Sequence, residues 1–190
     1  MAARIGLLEH FKRLFDFGGR EDRASFWPYA ALVFVIVMII GMVIFVPMMA
    51  HSMEAMQQYA ATHPEQATIT SGPGQYSISV QGNHPEFFDV DSMASYLVVS
   101  FGLSIVLYAA AVTRRLHDRG KSGSWGLMPL PFIIYSTIMM PRAFASPDEN
   151  MALFFSIFVS NMVYIVTLIV LIVLLASASD PARNRFDKAT

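Results

Sequence analysis

A chain of 190 residues is 55 % apolar and only 14 % charged, with thirteen lysines and arginines against fourteen aspartates and glutamates. A typical soluble domain is about a quarter charged, so the missing charge and a mean hydropathy of +0.49 exclude an ordinary water-solvated domain and point to lipid as the solvent. The lack of cysteine excludes a disulfide framework, a thiolate metal site and a cysteine nucleophile.

The first element is residues 5–17. Leu7, Leu8, Phe11, Leu14 and Phe15 cover an arc of about 120° on a helical wheel, with Glu9, Lys12, Arg13 and Asp16 opposite. An amphipathic helix is expected, lying either on the cytoplasmic leaflet or against the protein's own loops. The first apolar block, 26–50, is too long for the apolar core of a signal peptide, about 7–15 residues, and begins too far into the chain. It reads as a transmembrane helix, since about 20 apolar residues cross the hydrocarbon of a bilayer. The segment 51–93 is the one sizeable polar stretch. Within it ATIT and QYSISVQ alternate apolar and polar residues around SGPGQ, the pattern of a β-hairpin. His51, His63 and His84 stand near Glu54, Glu65 and Glu86, but the separations match no compact zinc spacing, and solvated loop histidines are expected.

The second span is expected at 94–113 and a cytoplasmic loop at 114–122. A third span at 123–141 is interrupted by Pro129 and Pro131, which predicts a bend near its cytoplasmic end. The fourth span is 152–176, and 177–190 is a tail. The fold class expected is an all-α membrane protein: one domain over 1–190, a four-transmembrane-helix bundle with an N-terminal interfacial amphipathic helix and a small extracytoplasmic loop holding the hairpin. Orientation follows from the basic residues. Of thirteen lysines and arginines, only Arg142 falls on the side of the 51–93 loop. The acids divide seven and seven, so one face carries a net charge of about +5 and the other about −6. Both termini and the 114–122 loop are therefore expected in the cytoplasm.

Two segments are more specific. Gly19-Arg20-Glu21-Asp22-Arg23-Ala24-Ser25-Phe26-Trp27 precedes the first span, and Arg114-Arg115-Leu116-His117-Asp118-Arg119-Gly120-Lys121-Ser122-Gly123-Ser124-Trp125 follows the second. Together they resemble the paired signatures GRxxRxxFW and RRLHDxGxSGxW of the YhaH-like small bacterial inner-membrane proteins, the domain of unknown function 805 family. The tail Asp180-Pro181-Ala182-Arg183-Asn184-Arg185-Phe186 is similar to the family's DPxxNRFG stretch, with Asp187 where glycine is usual. The resemblance implies a multi-pass protein of the bacterial inner (plasma) membrane and carries over no reaction.

Chemically, Arg20, Arg23, Arg114, Arg115, Arg119 and Lys121 are expected at one depth, where arginines reach headgroup phosphates and aromatic residues sit at the interface. Arg20, Arg23, Arg114, Arg115 and Arg119, with His117 and Asp118, form a candidate site for anionic phospholipid headgroups; otherwise the basic residues only anchor the helices and set topology. Anchoring does not need His117 and Asp118. The carboxylate suits paired bonds to arginines, and the imidazole can do the same or titrate. Asp118 is expected to bond at least one of Arg20, Arg23, Arg114 and Arg115. Gly120 and Gly123 suit a tight turn, and Ser122 a helix cap. Ser100 with Ser104, and Ser156 with Ser160, suit close helix packing, while Asn161 and Thr167 can bond across helices.

A transporter or channel is expected to carry ionisable residues inside its spans, which these four lack, so transport would require oligomerisation. A membrane enzyme would have His117 and Asp118 as its only candidates on this face. The reading that needs nothing further is a non-catalytic membrane protein. Its basic cytoplasmic face would bind anionic headgroups or a protein partner, without cofactor, metal or nucleic acid, alone or as a homo-oligomer.

Overall fold

A computed structural model of the chain describes residues 5–82, 84, 87, 90–145, 150–180 and 186. The expectations for Arg4, Glu86 and most of the DPxxNRFG stretch lie outside these residues. The elements run α1 (Leu7–Lys12), α2 (Arg23–Thr62), β1 (Ala67–Gly72), β2 (Gln75–Val80), α3 (Val90–Asp118), a 3-10 segment (Gly123–Leu127), α4 (Leu130–Ala145) and α5 (Met151–Ala176). Four stretches, Arg23–Thr62, Ser92–Asp118, Gly123–Phe144 and Met151–Ala176, are long and apolar enough to cross a membrane. Large apolar side chains stand exposed along all of them, such as Phe34, Val43, Val98, Ile138, Phe158 and Val173, as expected of helices solvated by lipid tails.

α2 starts at Asp22, whose carboxylate accepts the Ser25 amide at 2.8 Å as an N-cap. It then runs for 40 residues, so the expected 26–50 span is a segment of a longer helix. Hydropathy marks where lipid ends, not where helical bonding ends. The Ala, Met, Gln and Glu residues of 51–62 are good helix formers and carry α2 outward by about 18 Å more. The antiparallel hairpin packs on this extension. β1 pairs β2 in register from Ala67↔Val80 to Gly72↔Gln75. Pro73 and Gly74 make the turn, Gly74 at φ +76° as glycine readily allows. His63 and His84 are corrected from solvated loop residues: both are half-buried against Tyr59, His63 stacked on its ring at 4.3 Å and His84 tilted against it at 4.5 Å.

α3 packs against α2, the 3-10 segment, α4 and α5. Two reciprocal bonds tie it to α2, each from a tyrosine hydroxyl to a carbonyl at 2.7 Å: Tyr29 to Leu107 and Tyr108 to Ala30. The 114–122 loop is a further correction. Arg114–Asp118 forms the last turn and more of α3, which closes in a Schellman motif. Lys121 N–H donates to Leu116 O and Gly120 N–H to His117 O, with Gly120 at φ +67°. The third span is present at Gly123–Phe144, and its expected bend is a change from the 3-10 segment to α4, with the prolines at 129 and 131 placed where α4 starts. Gly123 is required by proximity rather than by turn geometry, since a Cβ there would stand 2.6 Å from Thr113 Cγ2. Ser122 is the N-cap of the 3-10 segment.

α4 and α5 are joined by Ser160 Oγ donating to Phe132 O at 3.0 Å and by the Tyr135–Ser156 hydroxyl pair at 2.8 Å. Asn161 and Thr167 bond carbonyls within α5, one turn back, rather than across helices. The principal core lies at one pole of the bundle, where α2 begins and α3 and α5 end. Phe26, Tyr29, Ala30, Val33, Leu107, Ala111, Leu116, Leu171 and Leu175 compose it.

Candidate functional site

Directly beyond that core sits a layer of charge. Glu21 and Asp118 are the two carboxylates at its centre, both wholly buried. Glu21 accepts Arg114 Nε at 2.9 Å and His10 Nε2 at 2.7 Å. Asp118 accepts Arg115 Nη1, one helical turn back, and Arg20 Nε at 3.2 Å from across the fold. A buried ion costs several kcal/mol of desolvation, so each carboxylate is held by two partners. The two signature segments also meet through the backbone, with Glu21 N–H donating to Arg114 O at 3.2 Å.

The arginines do more than pair. Arg114 Nη1 donates to the carbonyls of Arg13 at 3.1 Å and Asp16 at 2.5 Å, closing the chain that follows α1. Arg115 reaches the C-terminal end of α5, with Nε donating to Leu175 O at 2.8 Å and Nη2 to Ser177 O. A cation there meets both the unpaired last carbonyls and the negative end of the helix dipole. Arg119 donates to Ala178 O and Arg20 to Asp180 O. His117 Nδ1 faces Gly19 O at 3.2 Å, and its ring stacks on Phe186 at 3.8 Å.

The seven residues singled out in the sequence are thus brought to one pole and divided in depth. Arg114, Arg115 and Asp118 are buried, and Arg20 is nearly so at 8 % side-chain exposure. His117 and Arg119 are half-buried, and Arg23 is exposed on the first turn of α2. The expected link from Asp118 to the other signature is present, through Arg20. The expectation that all the arginines face headgroups is corrected for Arg114 and Arg115, whose Nε and Nη1 donors are engaged inside the protein. Nor is Asp118 open to a substrate, with both carboxylate oxygens bound by guanidinium groups.

His10 and Glu21 are central here and were not among the sequence candidates. His10 is 1 % exposed, stacked on Tyr29 at 4.3 Å, with Nδ1 on Gly6 O at 2.9 Å. The signal was a histidine on an otherwise ordinary amphipathic turn, and only the tertiary fold brings it to Glu21. α1 itself is shorter than the expected 5–17 helix. Phe11 and Leu14 pack on the core while Leu8 and Phe15 stay exposed at 78 and 79 %, so the apolar arc is shared between protein and surroundings. Lys12 and Lys121 are exposed, as are Trp27 and Trp125, and Lys121 Nζ lies over the Trp125 ring. Among the described residues, no group of three His, Asp or Glu is placed to hold a metal ion.

Comparison with curated proteins and with solved structures finds no match. A family model described as "Protein of unknown function (DUF805)" matches residues 14–188, a stretch that takes in all four apolar helices and both arginine-bearing segments. The charged layer just described is therefore built from residues inside the matched region, apart from His10 and the Arg13 carbonyl, and the chain belongs to the DUF805 family.

Proposed function

We propose that this protein is a non-catalytic, multi-pass protein of the bacterial inner membrane that binds anionic phospholipid headgroups through its cytoplasmic pole. The observation that carries the reading is the split between paired interior charges and an exposed rim. Glu21 and Asp118 are each held by two partners inside the fold, whereas Lys12, Arg23 and Lys121 are exposed beside Trp27, Trp125, Leu8 and Phe15. Exposed cations alternating with exposed aromatic residues at the end of an apolar bundle match the headgroup region of a bilayer, where each cation near an anionic surface is worth about 1 kcal/mol. In this reading Glu21, Asp118 and Arg114 support the rim rather than contacting lipid, and His117 and Arg119 stand between the interior and the rim.

The test is lipid retention in native mass spectrometry after extraction from mixed anionic and zwitterionic bilayers. The triple variant Lys12→Gln, Arg23→Gln, Lys121→Gln should keep its fold and lose most of its preference for phosphatidylglycerol over phosphatidylcholine. Equal preference in wild type and variant would return the rim residues to simple anchoring.

A further inference from the structure

Residues 177–180 leave α5 as a short strap across the charged pole. Three arginines from two segments of the chain hold it by its backbone: Arg115 on Ser177 O, Arg119 on Ala178 O and Arg20 on Asp180 O. Arg115 Nη1 adds a bond to Ser179 Oγ at 3.2 Å. In all of these the strap offers a neutral peptide carbonyl or a hydroxyl to a full guanidinium charge. Its own backbone anchors are few among the described residues: Ser177 N–H to Val173 O, and Asp180 N–H to Asp118 O at 3.1 Å. Phe186, further along, covers His117.

We propose that Arg20, Arg115 and Arg119 form an anion site in which the strap is the resident occupant, and that a phosphate group displaces it. Guanidinium groups bind phosphate through paired, charge-assisted bonds roughly twice as strong as bonds to a neutral acceptor. A phosphate entering where the strap carbonyls lie would keep every arginine bonded and exchange neutral acceptors for charged ones. The opposing cost is a local opening of a few residues with few ladder bonds, the low end of the range of native-state openings. Arg119 is the natural point of entry, since it is half-buried and its Nε is enclosed without a hydrogen-bond partner among the described residues. A lipid phosphodiester and a free phosphate anion share this chemistry. The lipid form rests on the headgroup reading above and deepens it: the exposed rim gathers anionic lipid, and one headgroup exchanges with the strap.

Hydrogen exchange of the full-length protein in nanodiscs separates these cases, read on the peptide covering Ser177–Asp180. Three arms are compared: pure phosphatidylcholine, phosphatidylcholine with phosphatidylglycerol, and phosphatidylcholine with added inorganic phosphate. Exchange should rise by roughly 5-fold or more in the phosphatidylglycerol arm, the low end of ordinary ligand coupling. A rise with inorganic phosphate as well would identify the ligand as the phosphate group itself. Arg119→Lys, which keeps the charge and removes the fork, should abolish the rise while leaving exchange in α3 unchanged. Constant exchange in all arms, while the rim variant still loses its lipid preference, would make the strap a permanent cap of α5 and overturn the proposal with the headgroup reading intact. Constant exchange with no lipid preference in wild type would overturn both.

Discussion

At the scale of single residues, the two signatures divide into parts that pack, parts that pair and parts that face outward. In the first, Arg20 bonds Asp118, Phe26 enters the core and Trp27 points out. In the second, Arg114 and Arg115 each hold a carboxylate and a distant backbone carbonyl, Leu116 is buried, and His117 bonds the chain at Gly19. Such division makes the consequences of substitution unequal. Asp118→Asn removes the ionic partner of Arg115, a wholly buried cation, and breaking a buried pair by one partner costs about 3–5 kcal/mol. Arg23→Gln removes an exposed charge outside the described ion pairs and should stay within about 0.5 kcal/mol. Thermal unfolding in detergent should therefore show a large loss for Asp118→Asn and almost none for Arg23→Gln. Similar melting of the two would mean that the pole is open to water.

At the scale of elements, the sequence showed each apolar block and the hairpin, because lipid-length runs and period-two alternation are local signals. It did not show where helices end. α2 outlasts its apolar block by 12 residues because 51–62 are helix formers, and α3 carries the RRLHD segment because Gly120, not hydropathy, sets its end. Nor was the partnership of His10 and Glu21 legible, because it depends on how the chain between α1 and α2 folds back. The three glycines of α3 and its following turn offer a test of this account. Gly120 sits at φ +67°, where an added Cβ costs roughly 1–2 kcal/mol. Gly123 faces Thr113 at a distance no Cβ tolerates, whereas a Cβ at Gly102 would meet nothing within 4 Å. Alanine at 120 or at 123 should lower the melting temperature. Alanine at 102 should be neutral or raise it, by up to the roughly 0.5–1 kcal/mol that glycine costs inside a helix. Destabilisation by Gly102→Ala equal to the other two would refute the assignment of their roles to the turn and the close approach.

At the scale of the whole molecule, the chain has two dissimilar poles. One gathers the start of α2 and the ends of α3 and α5 around Glu21 and Asp118; the other carries the outer part of α2 with the hairpin packed on it. A helix of 40 residues is about 60 Å long, twice the hydrocarbon thickness, so the two poles have to lie on opposite sides of any bilayer the bundle crosses. Geometry thus demands opposite sides, and charge gives an expectation of which. Among the described residues, eight of the nine lysines and arginines stand in or just after α1, at or just before the start of α2, or at the end of α3 and just beyond it, and such a bias is expected to retain the charged pole in the cytoplasm. The chain has no cysteine, so one can be introduced at a chosen site without background. Ser71 in β1 and Lys121 beyond α3 are both exposed and outside the described charge network. In intact cells a membrane-impermeant thiol reagent should label Ser71→Cys and spare Lys121→Cys, and lysis should make both reactive. Labelling of position 121 alone would invert the orientation and remove the cytoplasmic headgroup reading. Labelling of both in intact cells would break the two-pole architecture itself.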